Sequence, residues 1–128
     1  MKLKRIEKAD GEVKEVYSVD EQGRKQGCYT LTDVKTGRKI EEVTYKNGLV
    51  HGAYIEYNYL GRERLIMMCE NGEAHGLYET YHINGKKCHE GVYAKGKKQG
   101  LWTVTDENGN VIFRGLYDKG VCIEILKG

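Results

Sequence analysis

The sequence predicts an all-β protein, a single elongated and twisted antiparallel β-meander of tandem β-hairpin repeats of about 24 residues. Three observations predict this fold. Glycines recur at a constant spacing, in series such as Gly48, Gly72, Gly96 and Gly120. The segments between them alternate apolar with polar residues and are rich in β-prone types, and none shows the 3.6-residue apolar period of a helix. The chain contains no proline, so nothing interrupts a ladder of strand hydrogen bonds.

The period divides the chain into capping segments and repeats within one domain, residues 1–128. A capping hairpin at residues 1–22 precedes the repeats, and a capping strand at residues 120–128 follows them. The four repeats span residues 23–47, 48–71, 72–95 and 96–119. In such an array each unit contacts only its neighbours, so stability is close to a sum over repeats. The last strand is apolar and needs a cover at its open edge, and pairing with a second copy in a homodimer is one way to provide it.

Each repeat is expected to hold one hairpin with a tight turn. Asn84-Gly85 lies between two strand-like segments, and Asn108-Gly109 repeats the arrangement one unit later. Asn-Gly is a strong signal for a two-residue hairpin turn. A three-residue bulged loop at each site is the alternative, and it would slip every strand pair by one residue. Gly-x-x-x-Gly segments, such as residues 72–76, are expected to connect one hairpin to the next.

The two-residue turn places aromatic side chains opposite glycines on one face of the sheet. The expected pairs are Tyr78–Gly91, Tyr93–Gly76, Trp102–Gly115 and Tyr117–Gly100. A ring that lies over a strand glycine restores packing worth about 0.2–1 kcal/mol per pair. The first repeat has one extra residue, and a three-residue loop at Lys35-Thr36-Gly37 preserves the pattern there. That loop pairs Tyr45 with Gly27 and Tyr29 with Val43.

Charge and cysteine content limit the functional classes. With 21 basic and 19 acidic residues the net charge is only +2, which is not the strongly basic character of a nucleic-acid-binding domain. No apolar run follows the charged start of the chain, so neither a signal peptide nor a membrane span is expected. The four cysteines have no short paired spacing and are interpreted as free thiols, which predicts a cytoplasmic protein. They are Cys28, Cys69, Cys88 and Cys122.

The residue pattern favours neither an active site nor a cofactor. The only serine, Ser18, is far from any Gly-x-Ser-x-Gly turn. Cys88 and His89 come nearest to a nucleophile with its base, but neighbours in a strand point to opposite faces, and Tyr81 is the expected partner of Cys88. A phosphate-binding glycine loop would require a helix after it, and here a strand follows. We therefore expect a protein that is not an enzyme.

The histidines suggest a structural role instead of a metal site. His51 and His75 occupy equivalent repeat positions, and Gln26 and Gln99 occupy the same position in the flanking repeats. An exchange of His for Gln suits a hydrogen bond within a loop, whereas zinc prefers four close ligands. We expect no bound metal.

Residues 71–93 carry the pattern Asn-Gly-x-x-His-Gly-x-Tyr-x-x-Tyr-x-x-Asn-Gly, followed by Glu-Gly-x-Tyr. This pattern resembles the MORN repeat, and most closely the variant found in bacterial antitoxins of the YwqK type. The resemblance extends from about Gly11 onward and is weakest in the second full repeat, where Cys69, Met67 and Leu60 replace the expected Tyr, Gly and Asn. It implies a binding scaffold, and for the YwqK-type group it implies neutralisation of a toxin by direct binding.

The face opposite the rings is the expected partner-binding surface. It pairs Leu77 with Val92 and Leu101 with Leu116, and apolar residues rimmed by Tyr and Arg are typical of protein interfaces. Near the loops, the expected pairs on this face are Tyr57–Arg64, Tyr81–Cys88 and Thr103–Arg114. The residues predicted to bind a protein partner are Tyr57, Arg64, Tyr81 and Arg114. This face also has a structural interpretation, in which it is covered by sheet curvature or by dimerisation.

A peripheral membrane module is the alternative function. Lysines are dense between residues 86 and 98 and could contact phospholipid headgroups, although loops that are simply solvated explain them as well. The residues of this alternative are Lys86, Lys87, Lys95, Lys97 and Lys98.

Overall fold

A computed structural model describes residues 1–128 and shows one sheet of 11 antiparallel strands that pair in chain order. The strands are β1 (Lys4–Ala9), β2 (Val13–Val19), β3 (Gly27–Asp33), β4 (Lys39–Lys46), β5 (Leu49–Tyr57), β6 (Glu63–Glu70), β7 (Glu73–Tyr81), β8 (Lys87–Ala94), β9 (Lys97–Thr105), β10 (Val111–Asp118) and β11 (Val121–Lys127). The predicted all-β meander of hairpins is confirmed. The chain contains no helix able to cross a membrane.

Two-residue turns form one edge of the sheet, which we call the turn edge. They lie at Asn47-Gly48, Asn71-Gly72, Lys95-Gly96 and Lys119-Gly120. The predicted repeat boundaries fall between the two residues of each turn. Both residues of each turn have positive φ, 50–53° for the first and 80–87° for the second. Tight hairpins favour this geometry because its twist matches that of the flanking strands. The prediction of long Gly-x-x-x-Gly connections is therefore wrong, since β7 already begins at Glu73.

Longer loops form the opposite edge, which we call the loop edge. His82 donates its N–H to the Lys86 carbonyl at 2.8 Å, so residues 83–85 form a three-residue loop, and only Gly85 within it has positive φ. Equivalent loops occupy residues 59–61 and 107–109. The two-residue turn predicted at Asn84-Gly85 is wrong, and the three-residue loop of the alternative is right, but the slip of every strand pair expected with that loop does not occur. In the first repeat the loop spans residues 34–37, one residue longer than predicted.

A β-bulge after each of these loops restores the register that the loop would otherwise shift. Tyr81 pairs with Lys87 and Thr80 with His89, so Cys88 is the extra residue between them. The predicted Tyr81–Cys88 and Tyr57–Arg64 pairs are wrong for this reason. Beyond the bulges all five predicted aromatic–glycine pairs are confirmed, together with Thr103–Arg114.

The core lies on the face that carries the rings, which we call the aromatic face. Trp102 is 3% exposed and Val43 is 1% exposed. The rings form two separate clusters with centroid distances of 5.1–6.3 Å. The first contains Tyr17, Tyr29 and Tyr45, and the second contains Tyr78, Tyr93, Trp102 and Tyr117. The second full repeat, which carries Met67 and Cys69 on this face, separates the two clusters.

The glycines opposite the rings have a different role from the predicted one. The Trp102 ring lies over Gly91 of the preceding hairpin, where an added Cβ would come within 2.2 Å of the ring. At Gly115, the direct partner of Trp102, an added Cβ would instead meet Phe113 at 2.8 Å. Gly76 and Gly100 have positive φ, and no ring lies within 4 Å of their Cβ positions. These two positions thus require glycine for the backbone conformation, not for ring packing.

Candidate functional site

The face opposite the rings, which we call the second face, exposes apolar side chains in its C-terminal half. Leu77 is 40% exposed, and Val92 and Leu101 are each 47% exposed, although all three lie in central strands. They line a shallow groove of about 460 Å³ across β7–β10. Its other lining residues are Glu90, Gly91, Thr103, Thr105, Val111 and Arg114. The groove therefore combines an apolar floor with one acidic and one basic side chain.

Nearer the loop edge, tyrosine–carboxylate pairs occupy the second face. The Tyr57 hydroxyl donates to Glu42, and this hydrogen bond lowers the pKa of the Glu42 carboxyl. The Tyr81 hydroxyl donates to Glu79 at 3.0 Å. Burial, followed by these hydrogen bonds, raises the pKa of both tyrosines. Both hydroxyls are thus protonated at neutral pH and already hold an acceptor within the chain.

Lys87 neutralises the carboxylates around Tyr81. Its Nζ lies 2.5 Å from the Glu79 carboxylate and 3.3 Å from the Glu90 carboxylate. The hydrogen bond to Glu79 is the main reason that the pKa of Lys87 is raised. Glu79 itself is 8% exposed, and Lys87 is the cation that compensates its carboxylate. The sequence did not reveal this contact, because the bulge at Cys88 turns Lys87 towards Tyr81.

The predicted partner-binding residues do not form one surface. Tyr57 and Tyr81 face a depression of about 340 Å³ beside the loops, whereas Arg114 lines the groove. Arg64 is the bulge residue of β6, and its Nη2 lies 2.6 Å from the carboxylate of Glu56. Glu56 pairs with Leu65 on the aromatic face. The expectation that Arg64 shares a face with Tyr57 is therefore wrong.

The histidines at the turn edge form the hydrogen bonds expected of them. The N–H groups of Asn71 and Lys95 donate to Nδ1 of His51 and His75, at 3.2 and 3.0 Å. In the flanking repeats, turn N–H groups donate to the side-chain oxygens of Gln26 and Gln99 at 3.0 and 2.9 Å. Each side chain thus holds the next turn in place. The structure contains no group of three His, Cys, Asp or Glu side chains that could hold a metal ion.

The five lysines of the membrane alternative are not one cluster. Lys86 and Lys87 precede or begin β8, and Lys95 and Lys97 follow it. An eight-residue strand separates the two groups by about 25 Å. Lys87 is ion-paired, and Lys98 Nζ lies 4.8 Å from the centroid of the Trp102 ring.

The nearest approach to a catalytic pair involves His89. Its Nδ1 lies 2.8 Å from the Thr80 hydroxyl, which also accepts the His89 backbone N–H at 3.1 Å. Burial is the main cause that lowers the pKa of His89. Cys88 makes no hydrogen bond to this imidazole, and all four cysteines are free thiols.

The two outer strands differ in character. β1 carries Lys4, Arg5, Glu7 and Lys8, which protect a sheet edge against pairing. In β11, the apolar residues Val121, Ile123 and Ile125 are each 63–65% exposed to solvent. The last strand is therefore an exposed apolar edge, as the sequence predicted. A homodimer that pairs through this edge remains a prediction.

No protein-family model matches this chain, and no curated protein is significantly similar to it.

Proposed function

We propose that this protein is a non-catalytic scaffold that binds a protein partner through the groove on its second face. The observation that carries the proposal is the exposure of Leu77, Val92 and Leu101 in central strands around one concave surface. Exposed apolar patches rimmed by polar groups mark interaction sites. Removing a half-exposed leucine or valine side chain from water contributes about 1 kcal/mol to the binding free energy. The three side chains together therefore supply a substantial part of that free energy.

The partner class follows from the resemblance to YwqK-type antitoxins. On that basis the partner is a toxin, and this chain acts in the cytoplasm as an antitoxin or immunity protein that covers the toxin's working surface. A rigid sheet without a deep cavity suits this mode of action, because steric capture requires a preorganised surface and no chemistry. Arg114 and Glu90 at the rim would orient the partner.

Co-expression tests this proposal. The gene beside that of this protein is expressed in a host whose growth its product inhibits, with either the wild-type chain or Leu101→Glu. We expect rescue by wild type and loss of rescue with Leu101→Glu, because a buried unpaired carboxylate is costly. Ile112→Glu is the matched control, since Ile112 is 52% exposed but does not line the groove. Equal rescue by both variants would exclude the groove as the docking surface.

The membrane alternative has its own test. Flotation with anionic vesicles should recover little of the wild-type chain, because the two lysine groups lie about 25 Å apart along one strand. Strong, salt-sensitive flotation that is lost in Lys97→Glu/Lys98→Glu would favour lipid binding over protein binding.

A further inference from the structure

The loop edge presents a row of exposed apolar side chains at the tips of three consecutive loops. Val34 is 46% exposed, Tyr59 73%, Leu60 48% and Ile83 45%. They occupy residues 34–37, 59–61 and 83–85, so each loop contributes at least one. Loop tips normally carry small or polar residues, whereas these tips leave about half or more of each apolar side chain in contact with water. We call the three loops, with the cations described next, the loop-edge row.

Cations alternate with the apolar tips. Lys35, Arg38, Arg62 and Lys86 are exposed, and none of them forms an ion pair. Arg38 donates to the carbonyl of Tyr59 in the next loop, and Arg62 donates to the carbonyl of Ile83 at 3.5 Å. Lys86 continues the series, with its Nζ 3.5 Å from the Asn108 carbonyl. The carbonyls fix where these side chains lie, but a neutral acceptor leaves the positive charges uncompensated.

Acidic residues lie at both ends of the row, and within it Asp33 and Glu63 flank two of the loops, with Glu63 beside Arg62. The loop residues 34–37, 59–61 and 83–85 themselves include no acidic side chain. At one end, the Val34 N–H donates to the carbonyl of Glu12 at 2.9 Å. At the other end, Asn84 donates to the carbonyl of Glu107 at 2.9 Å. The Asp33 carboxylate accepts two N–H groups of its own loop. Three loops at a hairpin spacing of about 10 Å make the row about 20 Å long.

We propose that the loop-edge row binds an extended acidic segment of a protein partner. Carboxylates of the segment would contact Lys35, Arg38, Arg62 and Lys86, and its apolar side chains would lie between the loop tips. In an extended polyproline II conformation, three residues advance about 9 Å and complete one turn, so carboxylates at every third position lie on one side at nearly the hairpin spacing of about 10 Å. This proposal goes beyond the function proposed for the groove on the second face. The loop-edge row is a different surface of the sheet, and its binding of a peptide does not require the groove to bind a partner.

The shape of the row favours a polypeptide over a bilayer or a nucleic acid. Four strand-to-strand steps separate the first loop from the third, and each step twists the sheet by about 20–25°. The row therefore winds through about 80–100°, which an extended chain can follow and a flat bilayer cannot. Single-stranded nucleic acids bind to rows of stacked aromatic rings, and this row contains only Tyr59.

Fluorescence anisotropy tests the proposal. The probe is a fluorescein-labelled peptide of about twelve residues, with Glu at every third position and alternating Leu and Ser between, measured at low and physiological salt. The row variant combines Lys35→Gln, Arg38→Gln, Arg62→Gln and Lys86→Gln. The matched control removes the same charge from the turn edge, through Lys46→Gln, Lys95→Gln, Lys97→Gln and Lys119→Gln. Circular dichroism confirms that both are folded.

We expect wild type to bind the peptide, the row variant to bind about tenfold more weakly, and the control to stay within about twofold. A peptide with Gln in place of Glu should not bind. Absence of wild-type binding, or an equal loss in both variants, would overturn the proposal. Tighter binding to anionic vesicles or to single-stranded RNA, lost in the row variant alone, would assign the row to that ligand instead. Leu101→Glu should leave peptide binding unchanged, which separates this result from the outcome for the groove.

Discussion

Replacing Gly91 by alanine tests how the second aromatic cluster is packed. An alanine Cβ would lie 2.2 Å from Cδ2 and 2.3 Å from Cε2 of Trp102, whereas ordinary contacts begin near 3.4 Å. The ring would have to move by more than 1 Å. It cannot do so freely, because Tyr93 lies against it at 5.1 Å and Tyr78 at 5.4 Å. Its indole N–H also donates to the Val92 carbonyl at 3.1 Å.

The size of the effect follows from these contacts. Overpacking a filled site costs about 1–3 kcal/mol, and loss of the indole hydrogen bond adds about 1 kcal/mol. Alanine has a lower backbone entropy than glycine in the unfolded chain, which raises the free energy of unfolding by about 0.5 kcal/mol. We therefore expect Gly91→Ala to lower the free energy of unfolding by about 2.5 kcal/mol. For a chain of this length that corresponds to a fall in Tm of about 10 °C.

Urea denaturation followed by circular dichroism measures the change, and Trp102, the only tryptophan, reports the cluster by fluorescence. Gly115→Ala is the matched control. Its Cβ would meet only the tip of Phe113 and the Cys122 thiol, at 2.8–3.2 Å, so we expect a loss of about 1 kcal/mol. In a Trp102→Leu background the cost of Gly91→Ala should fall below about 1 kcal/mol. An equal cost in both backgrounds would refute the clash as its cause.

Two further predictions concern histidines. His75→Gln should keep wild-type stability, since Gln99 accepts the equivalent turn N–H, whereas His75→Ala should lose about 0.5–1 kcal/mol in urea denaturation; equal losses would contradict the hydrogen-bond role. Burial lowers the pKa of His89 in the folded protein, so the unfolded chain binds the proton more readily. The free energy of unfolding should therefore fall as pH drops from about 7.5 to about 5.5, through the unfolded value of about 6.5, and His89→Gln should flatten that slope.

Local patterns in the sequence were sufficient to predict the meander and most of its register. A strand has a side-chain period of two, so once the hairpins are placed, the partners of Tyr78, Tyr93 and Trp102 follow from residue counting. The exchange of His with Gln at one repeat position likewise indicated a turn hydrogen bond, because both side chains offer an acceptor of similar reach.

The sequence did not reveal the bulges, and these decide where several side chains point. One extra residue in β6 and in β8 moves Arg64 to the aromatic face and brings Lys87 opposite Tyr81. For this reason Arg64 does not lie on the same face as the other residues that were predicted to bind a partner. A loop of three residues followed by a bulge gives the same distant pairs as a loop of two residues without one, so the aromatic–glycine pattern cannot distinguish them.

What the sequence by itself determined is the repeat, the strand order and the pairing within each hairpin, because these depend on neighbours along the chain. Only the tertiary structure decided that Trp102 covers Gly91 of the preceding hairpin, that the rings form two clusters, and that the cations Arg38, Arg62 and Lys86 line one edge. These features arise between hairpins. They depend on the twist and the offset of one repeat against the next, which the composition of a single repeat does not fix.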